Sequence, residues 1–275
     1  MTDALTVRSA LAQSGLAPID AQVLLAHVLA RNRAWLIARA TDRLTAAQVD
    51  AFFLLARRRR DGEPIAYLTG EREFYGMSLR VDRSVLIPRP ETETLVECAL
   101  RRLPPERPLR VLDLGTGSGA IALAIARERP EAVVVATDRS ETCLAVARNN
   151  AERLGIGNVE WVLADWFDTP AANGPFDAIV SNPPYVAAGD AHLSEGDVRF
   201  EPAAALVSGA DGLDALRTIV AGAGERLDGG ASLVVEHGYD QQGAVRTLLQ
   251  DAGFADIEML RDLAGIPRVA AGRRR

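Results

Sequence analysis

Arg110-Val-Leu-Asp-Leu-Gly115-Thr-Gly117-Ser-Gly119-Ala-Ile-Ala-Leu-Ala-Ile-Ala126 changes its character midway. A short apolar run reads as a buried strand, three glycines at alternate positions as a tight turn, and the Ala/Ile/Leu run as the opening of a helix. Such a unit builds an open α/β sheet, and its turn lies where a nucleotide-like ligand meets the carboxyl end of a strand. The spacing is G-x-G-x-G rather than the dinucleotide G-x-G-x-x-G, with Asp113 ahead of the first glycine. A glycine turn alone is weak evidence, so two further signals matter.

The next apolar run, Ala132-Val-Val-Val-Ala-Thr-Asp138, ends in an acid where a carboxylate accepts from ribose hydroxyls. Further on, Phe176-Asp-Ala-Ile-Val-Ser181 reads as a buried strand and runs straight into Asn182-Pro183-Pro184-Tyr185. Two prolines cannot continue a strand, so the chain leaves the sheet there. They also remove backbone donors, which leaves Asn182 and the carbonyls of Ser181, Asn182 and Pro183 as a stiff, acceptor-rich rim suited to a planar NH2 group.

From residue 109 onward strands and helices alternate, with strand-like runs at 109–114, 132–137, 158–163, 176–181 and 231–236 and helical stretches at 141–154 and 213–227. That alternation predicts a doubly wound, Rossmann-like parallel sheet with right-handed connections. The glycine turn, Asp138, Asp165-Trp166 and Asn182 then converge beyond the carboxyl ends of the strands. Ahead of this region the pattern is helical: Leu24, Leu25, Val28 and Leu29 share a face, and Thr45-Ala-Ala-Gln48 is a capping box. The expected division is a helical domain over 1–73, a hairpin linker over 74–90 with turn signals at Gly76 and Asp82, and a catalytic domain over 91–275, entered through Pro88 and Pro90.

A chain of 275 residues with 48% hydrophobic and 25% charged composition can bury a full core. Net charge is -6 and the pI about 5.3, which argues against free nucleic acid as a partner. Cys98 and Cys143 read as buried small hydrophobes, without metal-ligand spacing around them. No signal peptide is read ahead of Leu5 and no run approaches the ~20 apolar residues of a membrane span, so a cytoplasmic protein, away from membranes and monomeric by default, is expected.

On Asp113-Leu-Gly-Thr-Gly-Ser-Gly119 and Asn182-Pro-Pro-Tyr185 the chain resembles the S-adenosylmethionine-dependent methyltransferases that modify planar nitrogens. It is most similar to the HemK/PrmC family of peptide chain release factor protein-(glutamine-N5) methyltransferases. The likeness extends to Arg-Arg-Asp-Gly-Glu63-Pro-Ile-Ala-Tyr-Leu-Thr-Gly70, Leu-Ile-Pro-Arg-Pro-Glu-Thr-Glu93, Asp165-Trp-Phe and Gly-Asp-Val-Arg-Phe-Glu-Pro202, while the first 50 residues match only in character. The resemblance implies a class I fold with a front helical domain that docks the protein substrate. It also implies that Gly115, Thr116, Gly117, Ser118 and Gly119 pass the methionine part of S-adenosylmethionine, that Asp138 holds the ribose, and that Asp165 and Trp166 border the adenine. The glutamine of a release factor's Gly-Gly-Gln motif would be received by Asn182, Pro183, Pro184 and Tyr185, with Asn182, Pro183 and Tyr185 carrying the catalysis and Asn182 also touching the cofactor.

Simpler structural readings stand beside these: a helix N-cap for Asp165, a core side chain for Trp166, packing against the sheet edge for Tyr185. His27, His192 and His237 read as structural or exposed, Arg199-Phe200-Glu201-Pro202 as holding an interior ion pair, and Arg57 to Arg60 and Arg273 to Arg275 as solvated charges. Alternative functions are glutamine methylation of a ribosomal protein, adenine-N6 methylation of DNA, and a sensor that binds the cofactor without catalysis.

Overall fold

The computed structural model describes residues 5–105 and 107–275; residues 1–4, on which the expectation of no signal peptide falls, and residue 106 lie outside the described residues. The chain divides into two compact units, 1–71 with 194–200, and 72–193 with 201–275.

The smaller unit holds helices α1 (Val7–Gln13), α2 (Pro18–Leu29), α3 (Arg33–Ala38), α4 (Ala46–Arg60) and α5 (Ile65–Thr69). Pro18 starts α2 where its missing N–H costs nothing. The capping box at α4 forms as its sequence requires: Gln48 N donates to Thr45 Oγ1 at 3.3 Å and Thr45 N to Gln48 Oε1 at 2.9 Å. Val7, Leu24, Leu25, Leu36 and Phe52 are buried together as the core.

The arginine run at the end of α4 departs from the expectation of solvated charge. Arg58 grips buried Glu63 with two bonds of 2.7 Å, Arg59 bridges Asp20 and Asp197 at 2.8 Å each, and Arg60 donates to the Ser14 carbonyl at 2.5 Å. Acids from α2 and from the 194–200 segment come within reach only in the folded unit, so the run acts as a clamp. Arg57 stays exposed.

A hairpin of β1 (Glu71–Phe74) and β2 (Met77–Arg80) leads into the larger unit, turning about Tyr75 and Gly76, both at positive φ, as a tight hairpin turn demands. Its first strand therefore begins before residue 74. Then follow α6 (Glu93–Arg102), β3 (Arg110–Leu114), α7 (Ala120–Glu128), β4 (Val133–Asp138), α8 (Glu141–Leu154), β5 (Val159–Leu163), β6 (Phe176–Ser181), α9 (Asp214–Ala223), β7 (Leu227–Glu236), α10 (Gln242–Asp251), β8 (Ala255–Arg261) and β9 (Pro267–Arg273). The seven-stranded sheet runs β5-β4-β3-β6-β7-β9-β8.

Strands β3 to β7 are parallel, as the alternation predicts, but β9 pairs antiparallel with both β7 and β8. The sheet is therefore mixed. The helix expected over 213–227 stops at Ala223 because the chain enters β7 at Leu227, which pairs with Phe176. Arg274 is no solvated charge either: its backbone N–H reaches the Ala231 carbonyl at 2.8 Å and its guanidinium the Leu227 carbonyl, continuing the β7 pairing.

Side chains alternate across the sheet into two cores. Val111, Val134, Ala136, Ala178 and Val180 meet the hairpin, α6 and α7 on one face, while Leu112, Leu114, Val135, Ile179, Leu233 and Val235 meet α9 and α10 on the other. Every residue of α7 from Ala120 to Ala126 is buried, and four of these seven are alanine, which lets the helix lie close to the strands. Cys98 and Cys143 are free and buried. Among the described residues no helix is long and apolar enough to cross a membrane.

Candidate active site

Because β3, β4, β5 and β6 are parallel neighbours, the loops leaving their carboxyl ends emerge along one edge. There they surround a cavity of about 600 Å³. Gly115, Thr116, Gly117, Ser118, Asp138, Asp165, Trp166, Asn182 and Pro184 line it, so most of the residues singled out in the sequence come together. Gly119, Pro183 and Tyr185 are not among the lining residues.

Each glycine of the turn has its own reason to be glycine. All three have positive φ, 72° at Gly115, 56° at Gly117 and 84° at Gly119. A Cβ on Gly119 would stand 3.1 Å from Ala147 Cβ and Leu123 Cδ1 and 3.2 Å from Trp161, so this glycine lets α7 pack. A Cβ on Gly117, which lines the cavity, would meet nothing within 4 Å.

The turn is fastened by the protein itself. Gly115 N and Thr116 N both donate to the Thr137 carbonyl at 2.9 Å, Gly117 N to Asp138 Oδ2 at 2.9 Å, and Gly119 N to the Thr116 carbonyl at 2.9 Å. These amides form no open nest for a phosphate, unlike a dinucleotide turn. Asp138 Oδ1 meanwhile accepts from Ser140 N at 2.9 Å. Behind the turn, buried Asp113 accepts from Thr116 Oγ1 at 2.7 Å. Burial pushes its carboxyl up to about 7; the Thr116 hydroxyl opposes the shift and the Asp138 charge adds to it.

Asp165 is exposed, and Trp166 takes a left-handed φ of 52° with its indole over Gly115 while also packing on the core. Ser181 Oγ donates to the Leu114 carbonyl at 2.7 Å and ties the end of β6 to the start of the glycine turn. Asn182 Nδ2 donates to Thr92 Oγ1 at 3.1 Å, whereas Asn182 Oδ1 is buried and has no hydrogen-bond partner. Tyr185 packs on the core and its hydroxyl donates to Glu236 Oε1 at 3.2 Å.

Sequence reading missed Thr92, Glu236, Gln241 and Arg89. Gln241 Nε2 donates to the Tyr185 carbonyl at 2.9 Å and so fixes the loop after the prolines. Glu201 is the interior acid expected in its motif, but its partner is the cavity-lining Arg89, at 2.5 Å. Arg199 is exposed and donates to the Asp61 carbonyl. The reason is reach: Ile87 N also donates to Glu201 Oε2 at 3.3 Å, so the segment ahead of α6 lies along this carboxylate. Of the histidines, His27 and His192 are exposed and His237 is buried.

The chemistry of this set is specific. An acid at the end of β4, an indole face and a turn whose Gly115, Thr116, Gly117 and Gly119 amides are bonded within the protein fit an adenosine bearing a positively charged or neutral tail, and a buried carboxamide oxygen without a donor stands ready to accept an N–H.

The chain matches the PrmC N-terminal domain family over residues 6–70 and a methyltransferase domain family over residues 105–206. It is 50% identical over 266 residues to the release factor glutamine methyltransferase of Bordetella pertussis, covering 97% of this chain and 98% of that protein. To the release factor glutamine methyltransferase of Escherichia coli it is 47% identical over 254 residues, 92% of this chain and 91% of that one. A solved methyltransferase from Pyrococcus furiosus shares the fold with a TM-score of 0.55 at 16% identity, over 79% of this chain and 96% of its own.

Proposed function

The chain belongs to the release factor glutamine methyltransferase family, and on that premise we propose that it moves a methyl group from S-adenosylmethionine to the side-chain amide nitrogen of the glutamine in a release factor's Gly-Gly-Gln motif. The observation that carries the reading at this site is the buried, partnerless Oδ1 of Asn182 on the rim of a cavity fit for an adenosine without phosphates.

The cofactor supplies, when bound, an electrophilic methyl on a sulfonium. Asp138 is suited to hold its ribose, since each carboxylate oxygen that accepts from the protein keeps another lone pair. Trp166 and Asp165 border the base, and Gly117 leaves the backbone bare where the tail passes.

A carboxamide nitrogen is a poor nucleophile because its lone pair is shared with the carbonyl; the ~18–20 kcal/mol rotation barrier of a peptide measures that sharing. Twisting the amide out of plane is too costly to be the main device. Asn182 Oδ1 and the Pro183 carbonyl instead take the two N–H groups, which aims the nitrogen and stabilises the positive charge that grows on it, an oxyanion hole with its sign reversed. The helical region over 1–73 docks the protein substrate, with 74–90 as the linker, and the enzyme works as a cytoplasmic monomer; the two buried free thiols suit a reducing compartment.

Purified protein is incubated with methyl-labelled S-adenosylmethionine and either a release factor, the same factor with glutamate in place of the motif glutamine, a glutamine-bearing ribosomal protein, or adenine-containing DNA. Label on the unaltered release factor alone is expected. Label on DNA or ribosomal protein, with none on the release factor, refutes the proposal.

A further inference from the structure

Asn182 has two chemically opposite ends, and a half-turn of its amide exchanges an acceptor for a donor at the same place. Something must set which end is free. Thr92, in the turn that leads into α6, and Glu236, the last residue of β7, stand behind it in a line: Asn182 Nδ2 to Thr92 Oγ1 at 3.1 Å, then Thr92 Oγ1 to Glu236 Oε2 at 2.6 Å. Thr92 and Glu236 are buried, at 4% and 1% exposure. Tyr185 closes the set from the far side, its hydroxyl on Glu236 Oε1.

The direction of this chain follows from counting protons. A carboxylate accepts only, and a threonine hydroxyl carries one proton. With Glu236 ionised, that proton goes to Glu236, so Thr92 has only a lone pair to offer Asn182. The carboxamide must then present its NH2 to Thr92, which leaves Oδ1 as the free acceptor, as found.

We propose that Glu236, acting through Thr92, is a positioning residue that locks the carboxamide of Asn182 with its oxygen available to the substrate amide. The inference rests on the reading of Asn182 as the group that grips the glutamine. It also predicts a failure mode. A protonated Glu236 becomes a donor, Thr92 can then hand its own proton to Oδ1, and the carboxamide turns its NH2 outward, a donor facing a donor.

Burial holds the Glu236 carboxyl up to about 7, against the Thr92 and Tyr185 hydroxyls and the Arg268 guanidinium, which lower it, and with Glu91, which raises it further. The active form is the ionised one, so turnover falls as pH drops through this range.

The test measures kcat, the KM for release factor and the Kd for S-adenosylmethionine in Thr92→Val, Thr92→Ser, Glu236→Gln and Asn182→Ala, with kcat followed from pH 5.5 to 8.5. Valine keeps the shape of Thr92 and removes the hydroxyl. We expect kcat to fall about tenfold in Thr92→Val, the scale of one hydrogen bond, with unchanged cofactor Kd, and Thr92→Ser to restore it. Glu236→Gln should be comparably slow and should lose the acid limb of the wild-type profile, which a merely structural role would leave in place. If wild-type protein and Asn182→Ala turn over equally, the reading of Asn182 falls. If Asn182→Ala is inactive while Thr92→Val keeps kcat within twofold of wild type, or Glu236→Gln keeps the acid limb, this inference alone is overturned.

Discussion

Gly117 and Gly119 lie two positions apart in one turn, both at positive φ, yet the same substitution should damage different properties. An alanine at either position costs about 1–2 kcal/mol for a left-handed backbone. At Gly119 the new methyl also meets three side-chain carbons at 3.1 to 3.2 Å, from α7, α8 and β5, of which those of Leu123 and Ala147 are fully buried. Overpacking of that kind adds about 1–3 kcal/mol, so Gly119→Ala should lose about 2–5 kcal/mol and Gly117→Ala about 1–2. Urea unfolding at pH 7.5, with linear extrapolation, resolves such a difference. Isothermal titration with S-adenosylmethionine supplies the other half: a methyl on Gly117, which lines the cavity, should weaken binding at least tenfold, while Gly119→Ala, where it remains folded, should bind within about threefold of wild type, the equivalent of ~0.6 kcal/mol. Equal stability losses within ~0.5 kcal/mol, the usual limit of such comparisons, would refute the packing argument. Undiminished cofactor affinity in Gly117→Ala would refute the placement of the ligand.

Asn182→Ala should lower kcat by roughly 10²–10³, on the scale of removing one preorganised oxyanion-hole donor, with cofactor Kd unchanged by calorimetry. Arg89→Ala removes the guanidinium held against the fully buried carboxylate of Glu201 and should cost about 3–5 kcal/mol in urea unfolding; a loss below ~1 kcal/mol, the scale of an exposed pair, would show that other contacts hold Glu201. Asp113 is raised from its ordinary value of 3.8 to about 7 in the folded protein, so between those values the native state binds more protons than the unfolded chain and stability falls as pH rises through that window. Asp113→Asn removes that slope: relative to wild type it should gain on the order of 3 kcal/mol on going from pH 4 to pH 8, and a parallel pair of stability curves would contradict the shift.

The parts legible in the sequence are those where local pattern and tertiary role agree. The strand, turn and helix over 110–126 announce themselves because the period changes at glycines that take a left-handed φ. Asn182 follows directly from a strand end, and the Thr45 capping box is a purely local device. Glu236 was not legible, since an acid ending an apolar run looks like any solvated strand end until β7 is placed beside β6. Thr92 sat inside Pro-Glu-Thr-Glu, which reads as the mouth of a helix. Their roles exist only in the approach of segments far apart in the chain, at residues 92, 182, 185 and 236. The antiparallel pair β8 and β9 escaped for a different reason. Asp256 and Glu258 alternate with Ile257 and Met259 as a strand should, but β9 carries Val269-Ala-Ala-Gly272, too small and uniform to display a period.

The glycine turn whose amides are already occupied by Thr137, Asp138 and Thr116 has a consequence for molecular selection. A cell is full of adenosines, and most differ only in what hangs from the 5′ carbon. A di- or triphosphate tail arriving at the turn would find the Gly115, Thr116, Gly117 and Gly119 amides already committed elsewhere and the Asp138 carboxylate beside them, whereas a sulfonium tail asks for none of those donors. The turn thus weighs against an anionic tail, before any contact with the base distinguishes one adenosine from another.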